Sequence, residues 1–405
     1  MQNVHTAIAR LRAGGMIVLL DDEDRENEGD IILAAEFATT ETVNFMARYG
    51  RGLICLAMAG SEIDRLGLSP MVARNQARRS TAFTVSIEAR DGITTGISAA
   101  DRAQTIRVAT DPASGPGQIA SPGHVFPLRA APGGVLERNG HTEGAVYLMQ
   151  IAGLRPSAVI CEVMRDDGEM MRRTDMTDFV ARHDLPVLTM AQLVDYRLRE
   201  ETLVQKVSEA SLPTAHTRTP LRVHAFRSMI DSSEDLALTS VGTPAGVPLV
   251  RLHSECLTGD AFGSLRCDCG AQLQESLRRI DAAPGNILLY LRGQEGRGIG
   301  LANKICAYHL QDQGLDTVEA NRALGLPDDS RNYAKAAQIL RAMGHTEVRL
   351  LSNNPAKAAG LEHYGVRVVA TEPLIIPSNP FNARYLETKA VRFGHSLPLP
   401  ETVLA

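Results

Sequence analysis

Near the start of the chain Val4, Ile8 and Leu11 recur at helical spacing, which predicts a short helix. Met16–Leu20 is a continuous apolar run ending at an acidic turn and reads as a compact buried strand. Residues 42–49 carry a helical pattern, and residues 52–58 read as another buried strand. From Phe83 to Ile87 apolar residues alternate with Thr84 and Ser86, the period of a half-buried strand. Strands and helices go on alternating to Tyr196. The pattern then changes: Arg199, Glu200, Glu201 and Lys206 form a charged helical stretch, and residues 211–220 are rich in Thr and Pro, which is linker chemistry. Beyond it come strand patterns at 249–252, 287–291 and 348–351, separated by helical patterns at 271–280, 301–313 and 333–343. No internal repeat is present, so the expectation is two unrelated mixed-sheet domains in tandem, α+β or mixed α/β in class, over 1–200 and 201–405.

Composition narrows this little: 405 residues, 44% hydrophobic and 22% charged, is ordinary for two globular domains. A net charge of −5 argues against a nucleic-acid binder, although local cationic pockets for small anions remain compatible with it. No apolar run reaches the roughly 20 residues of a membrane span, and none resembles a secretory signal, so a cytoplasmic compartment without membrane partners is expected. Cys256, Cys267 and Cys269 crowd together, which without an export signal favours metal over disulfides.

Residues 21–30 (DDEDRENEGD) hold seven carboxylates in ten positions. Alone, such a run is most simply a solvated charge patch. Here it follows a buried strand, where α/β proteins place site loops, and its hard oxygens suit Mg²⁺. Residues 121–129 (SPGHVFPLR) hold His124 in a loop stiffened by prolines. Residues 138–144 (RNGHTEG) combine a cation, flexible backbone, a histidine and a hydroxyl, a mixture suited to phosphate beside a metal. Together with the segment from Phe83 through residues 95–102 (TGISAADR), these motifs resemble the 3,4-dihydroxy-2-butanone 4-phosphate synthase family over roughly residues 1–200. The resemblance implies conversion of D-ribulose 5-phosphate to L-3,4-dihydroxy-2-butanone 4-phosphate and formate, with Mg²⁺ or Mn²⁺. It implies that Glu26 and His141 hold the metal. Arg25, Glu26, Asp30, Arg138, Asn139, Gly140, His141, Thr142 and Glu162 then bind the sugar phosphate, with His124 and Glu162 as the essential acid/base pair.

In the second half, three thiols within fourteen positions suit Zn²⁺. Three protein ligands leave a position open for water; Cys306, in a helical pattern, is the one candidate for a fourth. Residues 293–300 (GQEGRGIG) precede a helix and could cradle phosphate on backbone N–H groups, while the P-loop signature is absent. Residues 251–260, 266–270, 295–300, 316–321 and 350–355, with Lys357, resemble GTP cyclohydrolase II from about 206 to about 396. The resemblance implies formate and pyrophosphate release from GTP, leaving 2,5-diamino-6-ribosylamino-4(3H)-pyrimidinone 5′-phosphate, with Zn²⁺ on Cys256, Cys267 and Cys269 and Mg²⁺ accompanying GTP. It places Arg251, Leu252, His253, Ser254, Glu255, Gln272, Glu295, Gly296, Arg297, Thr317, Ser352 and Lys357 at GTP, and Tyr308 at ring opening. It also implies Asp329 as base and Arg331 as nucleophile on the α-phosphate. A guanidinium is effectively never deprotonated, so a clamp on phosphate charge is the physically easier role for Arg331. A zinc-stiffened regulatory or nucleotide-binding second domain stays open as the alternative. Both families imply homodimers or larger homo-oligomers, with the synthase site borrowing residues across its interface.

Overall fold

The structure, a computed structural model, describes residues 1–396. The chain folds as two compact units, Met1–Arg197 and Leu198–Ala405. No helix among the described residues is long and apolar enough to cross a membrane.

The first unit has seven strands: β1 (Ile17–Leu20), β2 (Gly29–Ala34), β3 (Cys55–Met58), β4 (Ile87–Ala89), β5 (Ile119–Arg129), β6 (Ser157–Glu162) and β7 (Val187–Thr189). They form one mixed sheet in the order β4-β5-β3-β6-β2-β1-β7. The apolar run at β1 has a simple cause, since both faces of the sheet are covered. Ile17 and Leu19 pack with Val4 and Leu11 of the helix Gln2–Arg12 on one side, while Val18 and Leu20 pack with Val43 and Met46 on the other. Each such wholly buried side chain contributes roughly 1.5–3 kcal/mol. β1 and β2 form an antiparallel hairpin with Leu20 opposite Gly29, so the acidic run becomes its turn. Asp30 itself lies in β2, opposite Glu162 at the end of β6.

The second unit has β8 (Val204–Leu212), β9 (Leu221–Ser228), β10 (Glu234–Thr239), β11 (Leu249–Ser254), β12 (Ile287–Leu291), β13 (Glu347–Leu351) and β14 (Arg367–Glu372), in the order β14-β13-β11-β12-β10-β9-β8. Its β14-β13-β11-β12 half is parallel and the rest antiparallel. From β11 the chain moves to one neighbour, β12, and only later returns to the other, β13. Connections therefore diverge at the carboxyl end of β11, where open α/β sheets leave a crevice for ligands.

Three local expectations fail. Residues 83–87 are not a continuous strand: Phe83 and Thr84 make isolated bridges, and β4 begins only at Ile87, beside a register shift against β5. There the polar Thr84 is the buried residue, its hydroxyl donating to the Pro127 carbonyl at 3.2 Å. The charged stretch ends its helix at Glu200 and becomes the strand β8 from Val204. The Thr/Pro-rich segment 211–220 is no linker; it is the end and turn of the β8–β9 hairpin, whose ladder pairs Val204 with Ser228 and Leu212 with Leu221. Thr and Pro serve turns and linkers alike, so composition could not separate the two.

Candidate active sites

In the first unit the β1–β2 turn is braced by Asp21, which is 2% exposed. Its Oδ1 accepts from the Glu28 N–H at 2.8 Å, and its Oδ2 accepts from the Glu26 N–H at 3.2 Å and from Arg25 at 2.8 Å. Arg25 reaches Glu26 with the same nitrogen, so its guanidinium bridges two carboxylates. His141, the first residue of the helix His141–Ala152, brings its imidazole to this turn. One ligand atom each from Asp21, Glu26 and His141 lies within 4.8 Å of the others. The expected metal pair is thus brought together, and Asp21 joins it. Only its place in the acidic run marked Asp21 in the sequence.

Electrostatics at this cluster fit a divalent cation. Burial pushes the Asp30 carboxyl well above the usual range, and the charges of Glu162, Glu28, Glu26 and Asp21 push it further. Glu162 is likewise raised by burial, opposed by a hydrogen bond from the Leu53 N–H at 2.9 Å. Burial lowers the His141 imidazole to about 4, so the ring is neutral, the form that ligates metals. Its Nε2 has no hydrogen-bond partner among the described residues. Crowded carboxylates beside a neutral imidazole with an unpartnered nitrogen are a donor set for Mg²⁺ or Mn²⁺.

The 138–142 loop is tied down from within. Arg138 donates to Glu143 at 2.6 Å, to Thr81 at 2.8 Å and to the Arg79 carbonyl at 3.2 Å, and Asn139 donates to Asp22 at 2.7 Å. Gly140 precedes the helix and Thr142 is buried in its first turn. His124 is half exposed, and its Nδ1 contacts Glu88, a residue the sequence reading did not single out. No hydrogen bond or ion pair among the described residues joins His124 to Glu162.

In the second unit a cleft opens where the loops leave β11, β12 and β13. Cys256, Cys267 and Cys269 meet on its wall, with ligand atoms within 4.8 Å of one another. The Cys256 and Cys267 sulfurs are 3.7 Å apart. Tetrahedral zinc with bonds of about 2.3 Å holds its sulfurs roughly 3.8 Å apart, so the thiols stand at zinc spacing. Cys306 is exposed and outside the group. Hydrogen bonds from its neighbouring thiols hold Cys256 far below the ordinary thiol range, with the Lys304 ammonium, 3.1 Å from its sulfur, adding to the effect.

Several expected GTP residues build this cleft from behind. Arg251 is 4% exposed and donates to the Leu351 carbonyl at 3.0 Å and to Gln272 at 2.5 Å. Leu252 is a wholly buried core residue, and its carbonyl accepts from Lys357 Nζ at 2.7 Å. His253 faces Asp260 at 3.0 Å, and Asp260 also accepts from the Cys256 N–H and the Tyr290 hydroxyl. Glu255 accepts from the Gly293 N–H at 2.8 Å, and Glu295 from the Leu257 N–H at 2.7 Å and from Lys304. Ser254, Gly296, Arg297, Tyr308, Thr317 and Ser352 line the cleft. Tyr308 lies 3.3 Å from the Thr258 hydroxyl. Arg331 makes a two-pronged pair with Asp329 at 2.9 and 2.5 Å, and reaches Ser254 at 3.4 Å. That pairing lowers Asp329 against its burial and raises Arg331 above its ordinary value. The sequence reading missed Lys304, and also Tyr385 and Lys389, which enter the cleft from the helix Ala383–Phe393, and His395 just beyond it.

Residues 5–196 match the 3,4-dihydroxy-2-butanone 4-phosphate synthase family and residues 205–373 the GTP cyclohydrolase II family. The chain is 52% identical over 404 residues to the riboflavin biosynthesis protein RibBA of Salinispora arenicola, covering 99% of this chain and 96% of that one. It is 50% identical over 395 residues to RibBA of Aquifex aeolicus, covering 97% of each. A two-domain 3,4-dihydroxy-2-butanone 4-phosphate synthase from A. baumannii, called RibBX, is 34% identical with a TM-score of 0.68, covering 92% of this chain and 99% of that one. With both units matched in order and relatives half identical along almost their whole length, the chain belongs to the bifunctional riboflavin biosynthesis family, an enzyme with 3,4-dihydroxy-2-butanone 4-phosphate synthase and GTP cyclohydrolase II activities.

Proposed function

We propose that D-ribulose 5-phosphate reacts at the Asp21–Glu26–His141 cluster within a domain 1–200, and GTP in the cleft of a domain 201–405. In the first domain Asp21, Glu26 and His141 would hold Mg²⁺ or Mn²⁺, which when bound supplies Lewis-acid stabilisation of enediolate charge. Glu162, its carboxyl raised by burial, is placed to take or return a proton. His124, its Nδ1 fixed by Glu88, presents its other ring nitrogen as the second acid/base. Arg25 and Asp30 bind the sugar hydroxyls, and the N-terminus of the helix beginning at His141 offers backbone N–H groups to the phosphate. The half-exposed position of His124 suits a site shared across a homodimer, as both families imply.

In the second domain Cys256, Cys267 and Cys269 would hold Zn²⁺, which when bound supplies Lewis-acid activation of the water that opens the imidazole ring of guanine. Tyr308 orients or protonates the opening ring. Arg251, His253, Ser254, Gln272, Arg297, Thr317, Ser352 and Lys357 position GTP, with Mg²⁺ on its phosphates. Glu255 and Glu295 hold the loops that shape the pocket. Arg331, locked by Asp329, clamps developing phosphate charge. The observation that carries this reading is three thiol sulfurs within 4.8 Å of one another, two of them 3.7 Å apart, in a cleft supplied with arginines and lysines. Work on two soluble small molecules fits a cytoplasmic enzyme.

The test is formate release from the purified chain, given ribulose 5-phosphate with Mg²⁺ or GTP with Zn²⁺ and Mg²⁺. His141→Ala should abolish the first reaction and spare the second, and Cys267→Ser the reverse. Formate from the sugar phosphate alone in the wild type would instead make the second domain a zinc-stiffened regulatory module.

A further inference from the structure

The helix Ala383–Phe393 follows the segment matched to GTP cyclohydrolase II, which ends at 373. It nevertheless lies against the cleft, to which it brings Tyr385, Lys389 and Phe393. Four ties hold it there. Arg384 donates to the Gly314 carbonyl at 2.7 Å, Arg392 reaches Asp316 at 3.4 Å, the Arg297 guanidinium stacks 3.9 Å over the Phe393 ring, and the Ser396 N–H donates to the Asn353 carbonyl at 2.9 Å. At its centre Lys389, 8% exposed, donates to Asp268 Oδ1 at 2.7 Å.

Asp268 sits between Cys267 and Cys269 and is 3% exposed. Its Oδ2 accepts from Gln272 at 2.6 Å, and the Gln272 oxygen in turn accepts from Arg251. The ammonium on the last helix is therefore the outer end of a relay, Lys389 to Asp268 to Gln272 to Arg251, running behind the zinc thiols. A buried carboxylate stripped of its cation is strongly destabilising, and this one would lie beside three thiols that must carry negative charge to ligate.

Resting on the assignment of this cleft to zinc and GTP, we propose that Lys389 is a positioning residue of the GTP site. Through Asp268 it fixes the Cys267–Cys269 turn and Gln272, which makes the C-terminal helix part of the site.

Full-length Lys389→Met, Lys389→Arg, Asp268→Asn and the Lys389→Met/Asp268→Asn double variant test this, read by the KM for GTP and, without GTP, by zinc transfer to a chromogenic chelator. Lys389→Met should weaken zinc retention about tenfold or more, the usual effect of losing a partner of a ligand loop, and raise the KM for GTP. Lys389→Arg should restore much of both, which a collapsed second domain could not. The double variant should be no worse than Lys389→Met, because the second change acts on the same link. Wild-type zinc retention and KM in Lys389→Met would overturn the proposal, and so would effects that simply add in the double variant. If the wild-type chain itself turned over no GTP, the assignment of the cleft would fall first; normal wild-type turnover with an unaffected Lys389→Met sinks this inference alone.

Discussion

Gly259 offers the sharpest test of the zinc reading. It lies in the short helix Leu257–Asp260, directly behind the thiols. A Cβ there would stand 2.9 Å from Cys267 Sγ, 3.0 Å from Cys269 Cβ and 3.1 Å from Cys256 Sγ. Carbon and sulfur in ordinary contact sit well beyond that, near the 3.5–4.0 Å optimum of nonbonded heavy atoms, so two sulfurs must each yield by about half an ångström or more. The surrounding backbone leaves little slack, because Gly270 packs so closely that a Cβ on it would meet the Gly259 carbonyl oxygen at 2.4 Å. Zinc–ligand distances tolerate only about 0.2 Å. Gly259→Ala should therefore weaken zinc binding by roughly 10–100-fold, about 1.4–2.7 kcal/mol, in the range of disturbed ligand support. Chelator competition on the purified chain measures this directly, with formate release from GTP falling in parallel and formate release from ribulose 5-phosphate unchanged. Wild-type zinc affinity in Gly259→Ala would refute the claim that these three sulfurs close on one ion.

Arg331→Lys keeps the charge and loses the fork, so as a clamp it should cost about 10²–10³-fold in kcat with GTP. A nucleotidylated Arg331, its guanidinium nitrogen bonded to the α-phosphorus after pyrophosphate has left, trapped in the wild type by rapid quench and mass spectrometry would contradict the clamp. Gly123→Ala should cripple the synthase reaction, since its Cβ would fall 2.1 and 2.2 Å from the Ile87 carbonyl carbon and oxygen and push the His124 strand off β4; an unchanged kcat/KM would show that this strand position is not needed. His183 packs among Phe45, Tyr49 and Phe179 at centroid distances of 5.1, 4.7 and 4.8 Å, and burial, helped by Arg182, lowers its pKa. Below about pH 6.5 the unfolded chain then binds the proton more readily than the folded one, so this stability is present above that pH and is lost as pH falls toward the folded value. His183→Phe should narrow the drop in melting temperature between pH 7.5 and pH 5.5, and an unchanged drop would count against the argument.

What the sequence made legible follows from how local each signal was. β1, β3, β11, β12 and β13 stood out because their buried faces leave short apolar runs, and the zinc thiols because two of them share one turn. β2 was hidden, since its first residues belong to the acidic run and Asp30 looks like loop until Glu162 is seen opposite it. Glu88 could not be paired with His124 from spacing alone, because the β4–β5 pairing that joins them spans some 30 residues. Lys304 and Lys389 were missed for the same reason: a lysine on an amphipathic helix reads as solvent-facing until its target, Cys256 or Asp268, is folded against it.

The two sites solve opposite electrostatic problems. In the first domain the protein gathers negative charge, five carboxylates around Asp21, Glu26, Glu28, Asp30 and Glu162, and Arg25 and Arg172 offset only part of it. Excess negative charge of that kind suits a hard dication and, on the proposed reading, would need that dication to admit a sugar phosphate. In the second the candidate metal ligands are soft; Lys304 touches Cys256, while other cations stand on neighbouring elements: Arg251 on β11, Arg297 after β12, Lys357 after β13. On the proposed reading a triphosphate would meet positive charge supplied by side chains, which would leave zinc for the ring. Burial holds Lys357 well below its ordinary value, and the charges of Arg251, Arg331 and Lys389 press it lower still. A cation penalised in this way would be balanced by an anionic ligand, which on the proposed reading favours a polyphosphate over a neutral base.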